Sequence, residues 1–247
     1  APHRILKMLI GLAVFLVVLL RPSVALHAWL LAIPLGEWLP STGIPAINGP
    51  NLLFVALMVA WILPRALKRE RITHPARVAW PLAAYIVILV IALFRAWVWP
   101  PGGGEYPGVA MLKSVWQSSV GLAVYFVVVN TVAERKQVRN LLVSFGIGCS
   151  LSALIALREF LQAGGTEMVA GALGDINDLG AYFAMCVSAL AGLALASGAF
   201  RGWQRLTMLA ATALALMGVA FPQSRGGFLG AAAGLGLVTY LTNRRAI

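Results

Sequence analysis

Charged residues are scarce in this chain, at 11% of 247 residues. Acidic ones are scarcest, with 8 Asp and Glu against 19 Lys and Arg. A soluble domain carries roughly 25% charged residues, so a water-exposed globule is excluded. Cysteine is nearly absent as well. Cys149 and Cys186 both fall inside apolar segments, with no metal-ligand spacing and no disulfide framework, and read as small core residues. His3, His27 and His74 are scattered, which leaves no zinc motif or histidine cluster, and His27 reads as an interfacial or core residue without a catalytic role. No repeat of roughly 20–50 residues is visible, nor a soluble linker or low-complexity tail. No small-x-small cleavage site follows the apolar run from Met8 to Leu20, so the basic start reads as an anchoring helix rather than a signal peptide.

What fills the space is apolar: 60% of residues are hydrophobic and the mean hydropathy is +0.87. Long uncharged runs recur throughout, the pattern of a polytopic membrane protein. Each crossing needs about 20 apolar residues. The candidates are Ile5–Leu20, Val24–Leu39, Asn51–Leu63, Val78–Trp99, Met111–Asn130, Val138–Leu161, Leu179–Phe200, Trp203–Phe221 and Gly226–Thr242. Pro34 and Gly36 interrupt the second, and Pro64 is expected to end the third early. The expected fold is an all-α transmembrane helix bundle, a single domain over residues 1–247 with about eight or nine membrane helices.

The positive charge sets the orientation. Arg65, Lys68, Arg69, Arg71 and Arg77 crowd one loop, which the positive-inside rule makes cytoplasmic. Alternation then puts Arg135, Lys136, Arg139, Arg201, Arg205, Arg244 and Arg245 inside. It leaves Glu105, Glu167, Asp175 and Asp178 in outer loops nearly free of Lys and Arg. The net charge of +11 is thus accounted for by membrane orientation, and no nucleic-acid partner is expected. At the amino-terminal end, strict counting of nine spans would place Arg4 and Lys7 outside. A better fit has Ile5–Leu20 crossing outward, Val24–Leu39 re-entrant or along the outer interface, and Pro40–Pro50 as an outer loop.

Two outer turns hold the candidate chemistry. In Pro222-Gln223-Ser224-Arg225-Gly226-Gly227, Ser224 is placed to cap the last helix, and Arg225 stands in its first turn. A cation at a helix amino terminus opposes the dipole until an anion binds there, when unpaired N–H groups and the guanidinium converge on it; the alternative is that Arg225 snorkels to the headgroups. Gly226, Gly230 and Gly234 recur every four residues and suit close helix packing. In Gly174-Asp175-Ile176-Asn177-Asp178-Leu179-Gly180, Asp175, Asn177 and Asp178 serve either as ordinary helix caps or as the wall of a polar pocket facing Arg225. Arg95, beside Trp97 and Trp99, and Arg158, beside Glu159, are expected on the same face. Snorkelling and pairing with Glu159 account for them, while a ring of Arg95, Arg158 and Arg225 would suit a phosphate. Gln117 and Ser114, Ser118 and Ser119 either add hydrogen bonds there or cross-link helices. No metal ligand set and no cofactor motif is present in the sequence.

Ser224-Arg225-Gly226-Gly227 after an apolar helix, with a small-residue helix following, resembles the start of the O-antigen ligase/polymerase domain, here Gln204–Ile247. Gly174…Asn177-Asp178-Leu179-Gly180-Ala181-Tyr182 is similar to that superfamily's helix-opening motif. The resemblance implies a C-type glycosyltransferase of the bacterial inner membrane. It would move a glycan from an undecaprenyl-pyrophosphate carrier to lipid A–core, another glycan or a protein on the periplasmic face, without metal. Arg225 matches the family's arginine and would neutralise the departing pyrophosphate. Family members also carry a large periplasmic loop with a further arginine and an acceptor-activating histidine, to which none of the three histidines corresponds. The chain is accordingly expected to be the amino-terminal part of a longer protein or a shortened relative. Two other classes remain open. One is a transporter or flippase for a lipid-linked or anionic substrate, for which broken helices would be the sign. The other is a non-catalytic membrane scaffold.

Overall fold

The computed structural model describes residues 21–38, 49–69, 79–98, 108–195 and 200–244. Among them there are eight α-helices and no strand: α1 (Pro22–Ala32), α2 (Gly49–Leu67), α3 (Ala79–Val98), α4 (Gly108–Thr131), α5 (Arg135–Gln162), α6 (Ile176–Leu195), α7 (Trp203–Ala220) and α8 (Arg225–Arg244). Short 3-10 turns cover Ile33–Trp38 and Gly171–Leu173. The helices coincide with the apolar segments from Val24 onward. The expected helix Ile5–Leu20, most of the Pro40–Pro50 loop, and Arg71, Arg77, Trp99, Glu105 and Arg245 lie outside the described residues.

By length and composition, three described helices are long and apolar enough to cross a membrane: α2, α5 and α6. The inclusion of α2 corrects the sequence reading. Proline forbids only its own N–H bond and crowds the carbonyl four residues back, and Pro64 sits in the last turn. The helix therefore runs on to Leu67, with Lys68 N–H bonded to Pro64 O at 3.1 Å. Pro34 acts as expected, ending the α-helix at Ala32 and tightening the chain into a 3-10 turn.

The chain divides into two compact units, one formed by Ala1–Leu57 with Glu134–Ile247, the other by Met58–Ala133. In the smaller unit α3 lies against α4. The end of α2 is fastened to α4 by Arg65, which donates to Asn130 O at 3.1 Å and to Trp61 O at 3.0 Å. The apolar residues of α3 from Tyr85 to Phe94 are largely exposed.

In the larger unit, side-chain register fixes the directions. Gly146 on α5 faces Met208 and Ala211, and Phe160 stacks on Phe221 at 5.2 Å, so α5 and α7 run parallel. Gly180, Ala184 and Ser188 on α6 meet Gly227, Gly230 and Gly234 on α8 in the same order, so these two are parallel as well. The α7 helix runs antiparallel to α6, where Gly218 leaves the notch that holds the buried ring of Phe183. Cys149 and Cys186 are free thiols buried in the core with Phe183, Leu190 and Met208.

The α1 helix packs on α5. His27 Nδ1 meets Ser144 Oγ at 2.8 Å, and Leu30, Leu31 and Pro34 close on Gly148, so α1 runs alongside α5 in the same direction. Its 3-10 tail then reaches the Gly171–Leu173 turn. A glycine at 148 admits this approach, because an added Cβ there would stand 3.2 Å from the Leu30 carbonyl oxygen.

Candidate functional site

The site is built where α6 and α8 begin side by side. Asp175, just ahead of α6, accepts the N–H groups of Asn177 at 2.7 Å and Asp178 at 3.1 Å through one carboxylate oxygen. Capping thus falls to Asp175, and Asn177 and Asp178 become exposed first-turn residues with their side chains released from that duty. Gly174 takes φ 73°, which turns the chain sharply into the cap.

Ser224 caps α8 as expected. Its Oγ accepts the Gly227 N–H at 3.3 Å and donates to Asn177 Oδ1 at 3.5 Å, a long bond that ties the two helix starts together. With 8% of its surface exposed, Ser224 is locked between the helices. The preceding turn is shaped by buried Pro222 and by Gln223 at φ 50°, a left-handed conformation that costs a non-glycine residue about 1–2 kcal/mol.

Close helix approach makes this junction rigid. A Cβ on Gly227 would meet the Cα, C and O of Gly180 at 3.1 Å, so backbone lies almost on backbone. Gly227, and not the expected Gly226, occupies the crossing. Gly226 faces away, with nothing nearer than Ser224 Oγ at 3.9 Å. A step of four residues turns about 400°, so a strict fourfold spacing drifts off a face that the 227–230–234 spacing follows.

Arg225 is exposed at the first residue of α8 and, among the described residues, has no hydrogen-bond or ion-pair partner. The two neighbouring helix ends differ in charge. The α6 start carries Asp175 and Asp178, whereas the first turn of α8 has no acidic residue. The positive dipole end of α8, roughly half a unit charge, is left uncompensated beside a guanidinium, which makes it an anion-favouring point.

Arg158 belongs to the same end of the unit. It lies one turn from the end of α5, whose Phe160 stacks on Phe221, and the α5–α6 loop reaches the same turn through Val169 N–H to Phe221 O at 3.4 Å. Arg158 also borders an open groove of about 350 Å³ along α5 with Leu154, Leu157, Leu161 and Gln162. Arg95 is exposed on the last turn of α3, in the smaller unit. Arg158 and Arg225 thus share one end of the larger unit.

Sequence reading offered Asp175, Asn177 and Asp178 as caps without choosing among them, and it missed Gly180 with Gly227 as the crossing pair, which depends on helical phase. Among the described residues, no three His, Cys, Asp or Glu side chains form a metal-binding group. No family model, curated protein or solved structure matches this chain.

Proposed function

We propose that this chain is a membrane glycosyltransferase of the O-antigen ligase/polymerase kind, crossing the bacterial inner membrane about eight or nine times. It moves a glycan from an undecaprenyl-pyrophosphate carrier to an acceptor hydroxyl on lipid A–core, a glycan or a protein at the periplasmic face. The observation that carries the reading is Arg225: an unpaired, exposed guanidinium at an uncompensated helix amino terminus, held on a glycine-packed junction. Glycosyl transfer from a pyrophosphate builds negative charge on the leaving group, and a fixed cation beside free N–H groups stabilises that charge without rearranging. Asn177, Asp178 and Ser224 would line the donor side of the site, and Arg158 and Arg95 would add positive potential at the same membrane face.

The test is glycan transfer in membranes from a lipid-pyrophosphate donor, comparing wild type with Arg225→Ala and Arg225→Lys. Loss of one leaving-group stabiliser is expected to lower the rate of transfer about 100- to 1,000-fold in the alanine variant. Lysine, which keeps the charge but not the fork of donors, should recover part of it. Unchanged transfer by Arg225→Ala would remove this residue, and with it the support for the reading.

A further inference from the structure

The opposite end of the larger unit carries a charge cluster that the proposed reaction does not use. Register brings its members together. His27 opposite Ser144 sets Arg21, at the head of α1, level with the first turns of α5. Arg139 precedes Gly146 by two turns on the same face, about 20° away in helical phase. Arg205 precedes Met208, the partner of Gly146, by one turn, and Arg201 lies two residues ahead of the start of α7. The seam between α5 and α7 therefore opens at this end among three arginines. Arg135 and Lys136 stand exposed beside it, and the acidic residue at this end among the described ones is Glu134.

Two further observations point to a ligand. Arg139 Nε is buried and, among the described residues, its N–H has no hydrogen-bond partner, a costly omission for a charged donor. Trp203, 65% exposed, projects from the first turn of α7 one turn before the equally bare Leu206. An exposed Trp at the end of an apolar helix marks the headgroup level of a bilayer, which puts Arg201 and Arg205 at the depth of lipid phosphates.

We infer that the mouth of the α5–α7 seam is a binding site for the headgroup of an anionic phospholipid of the phosphatidylglycerol type. Arg139 grips a phosphate oxygen from within the seam while Arg201 and Arg205 hold it from the rim. Guanidinium and phosphate match in geometry as well as charge. A headgroup with its own ammonium would bring a cation into a field already set by Arg21, Arg135 and Lys136, which favours the anionic lipid. The inference rests on the membrane reading alone. Because the site lies at the end away from Arg225, it stands or falls separately from glycan transfer.

The experiment reconstitutes the purified full chain in an equimolar mixture of phosphatidylcholine and phosphatidylglycerol, then counts lipids retained after detergent extraction by native mass spectrometry. Wild type is expected to retain phosphatidylglycerol in preference, with added salt weakening that preference. Arg139→Gln and Arg205→Gln should each reduce it about five-fold. Equal retention of both lipids by the unaltered chain would overturn the inference whatever the variants do. So would a preference that survives in the Arg139→Gln, Arg205→Gln double variant.

Discussion

Replacing Gly180 by alanine puts a methyl group where Ser224 already stands. The new Cβ would lie 2.7 Å from Ser224 Cβ and 3.0 Å from its Oγ, with Gly227 Cα at 3.6 Å. Carbon atoms rest about 3.5–4.0 Å apart, so α6 and α8 must separate by about 1 Å at this point. Ser224 cannot swing aside, since it is buried and its hydroxyl holds the Gly227 N–H. Overpacking of this kind costs about 1–3 kcal/mol, against roughly 1 kcal/mol returned by the better helix propensity of alanine. The expected net effect is therefore a loss of up to about 2 kcal/mol. Gly236→Ala is the matched control, because its Cβ would meet nothing within 4 Å. There only the propensity gain remains, about 1 kcal/mol in favour of the variant. The same chemical change is thus expected to move stability in opposite directions at two helical glycines. Thermal unfolding of both proteins in one detergent, followed by tryptophan fluorescence, should give midpoints on either side of wild type. Since a displacement of about 1 Å can lower a rate about 100-fold, Gly180→Ala should also depress the proposed glycan transfer while Gly236→Ala leaves it intact. A Gly180→Ala protein stabilised as much as Gly236→Ala would refute the close crossing and the rigidity assigned to it.

Asp175→Ala removes the acceptor for two N–H groups and should destabilise the protein by about 1–2 kcal/mol in the same unfolding assay, with Asp175→Asn recovering most of the loss. His27→Ala and Ser144→Ala, alone and together, form a double-mutant cycle for the bond that fastens α1 to α5. A coupling of about 0.6–1.7 kcal/mol is expected, and additive losses would show that the two side chains do not pair.

Much of the helical framework was legible in the sequence because apolar runs and their charged interruptions are local signals. The seven apolar segments from Asn51 onward reappear as helices with ends shifted by up to about five residues, three of them long and apolar enough to cross a membrane, and the break at Pro34 is present. The Ser224 cap was legible for the same reason, since it needs only a serine three residues before an N–H. The helix start at α6 was less so. Asp175, Asn177 and Asp178 are all good caps by type, and the choice among them rests on which residue leaves helical geometry first, here fixed by the left-handed Gly174. Least legible was packing. Five glycines between 226 and 236 offer several stripes, and helical phase against α6 selects Gly227, Gly230 and Gly234. Nothing in the local pattern of 22–38 says which helix it packs against. That course is set by the distant Ser144 and Gly148.

The pairing of α8 with α6, two helices back in the chain, has a consequence for how the bundle is made. During synthesis the amino-terminal part of a chain emerges first, so α6 and then α7 enter before α8 exists. The α7 helix can close on the Phe183 side of α6 through the Gly218 notch. The face bearing Gly180, Ala184 and Ser188 must wait, presenting a shallow furrow to lipid until the last described helix arrives to fill it. The junction that holds Arg225 is therefore among the last contacts to form. Substitutions in that furrow should leave insertion of α6 unaffected and instead prolong the life of a half-closed bundle, the species most open to proteolysis in the membrane.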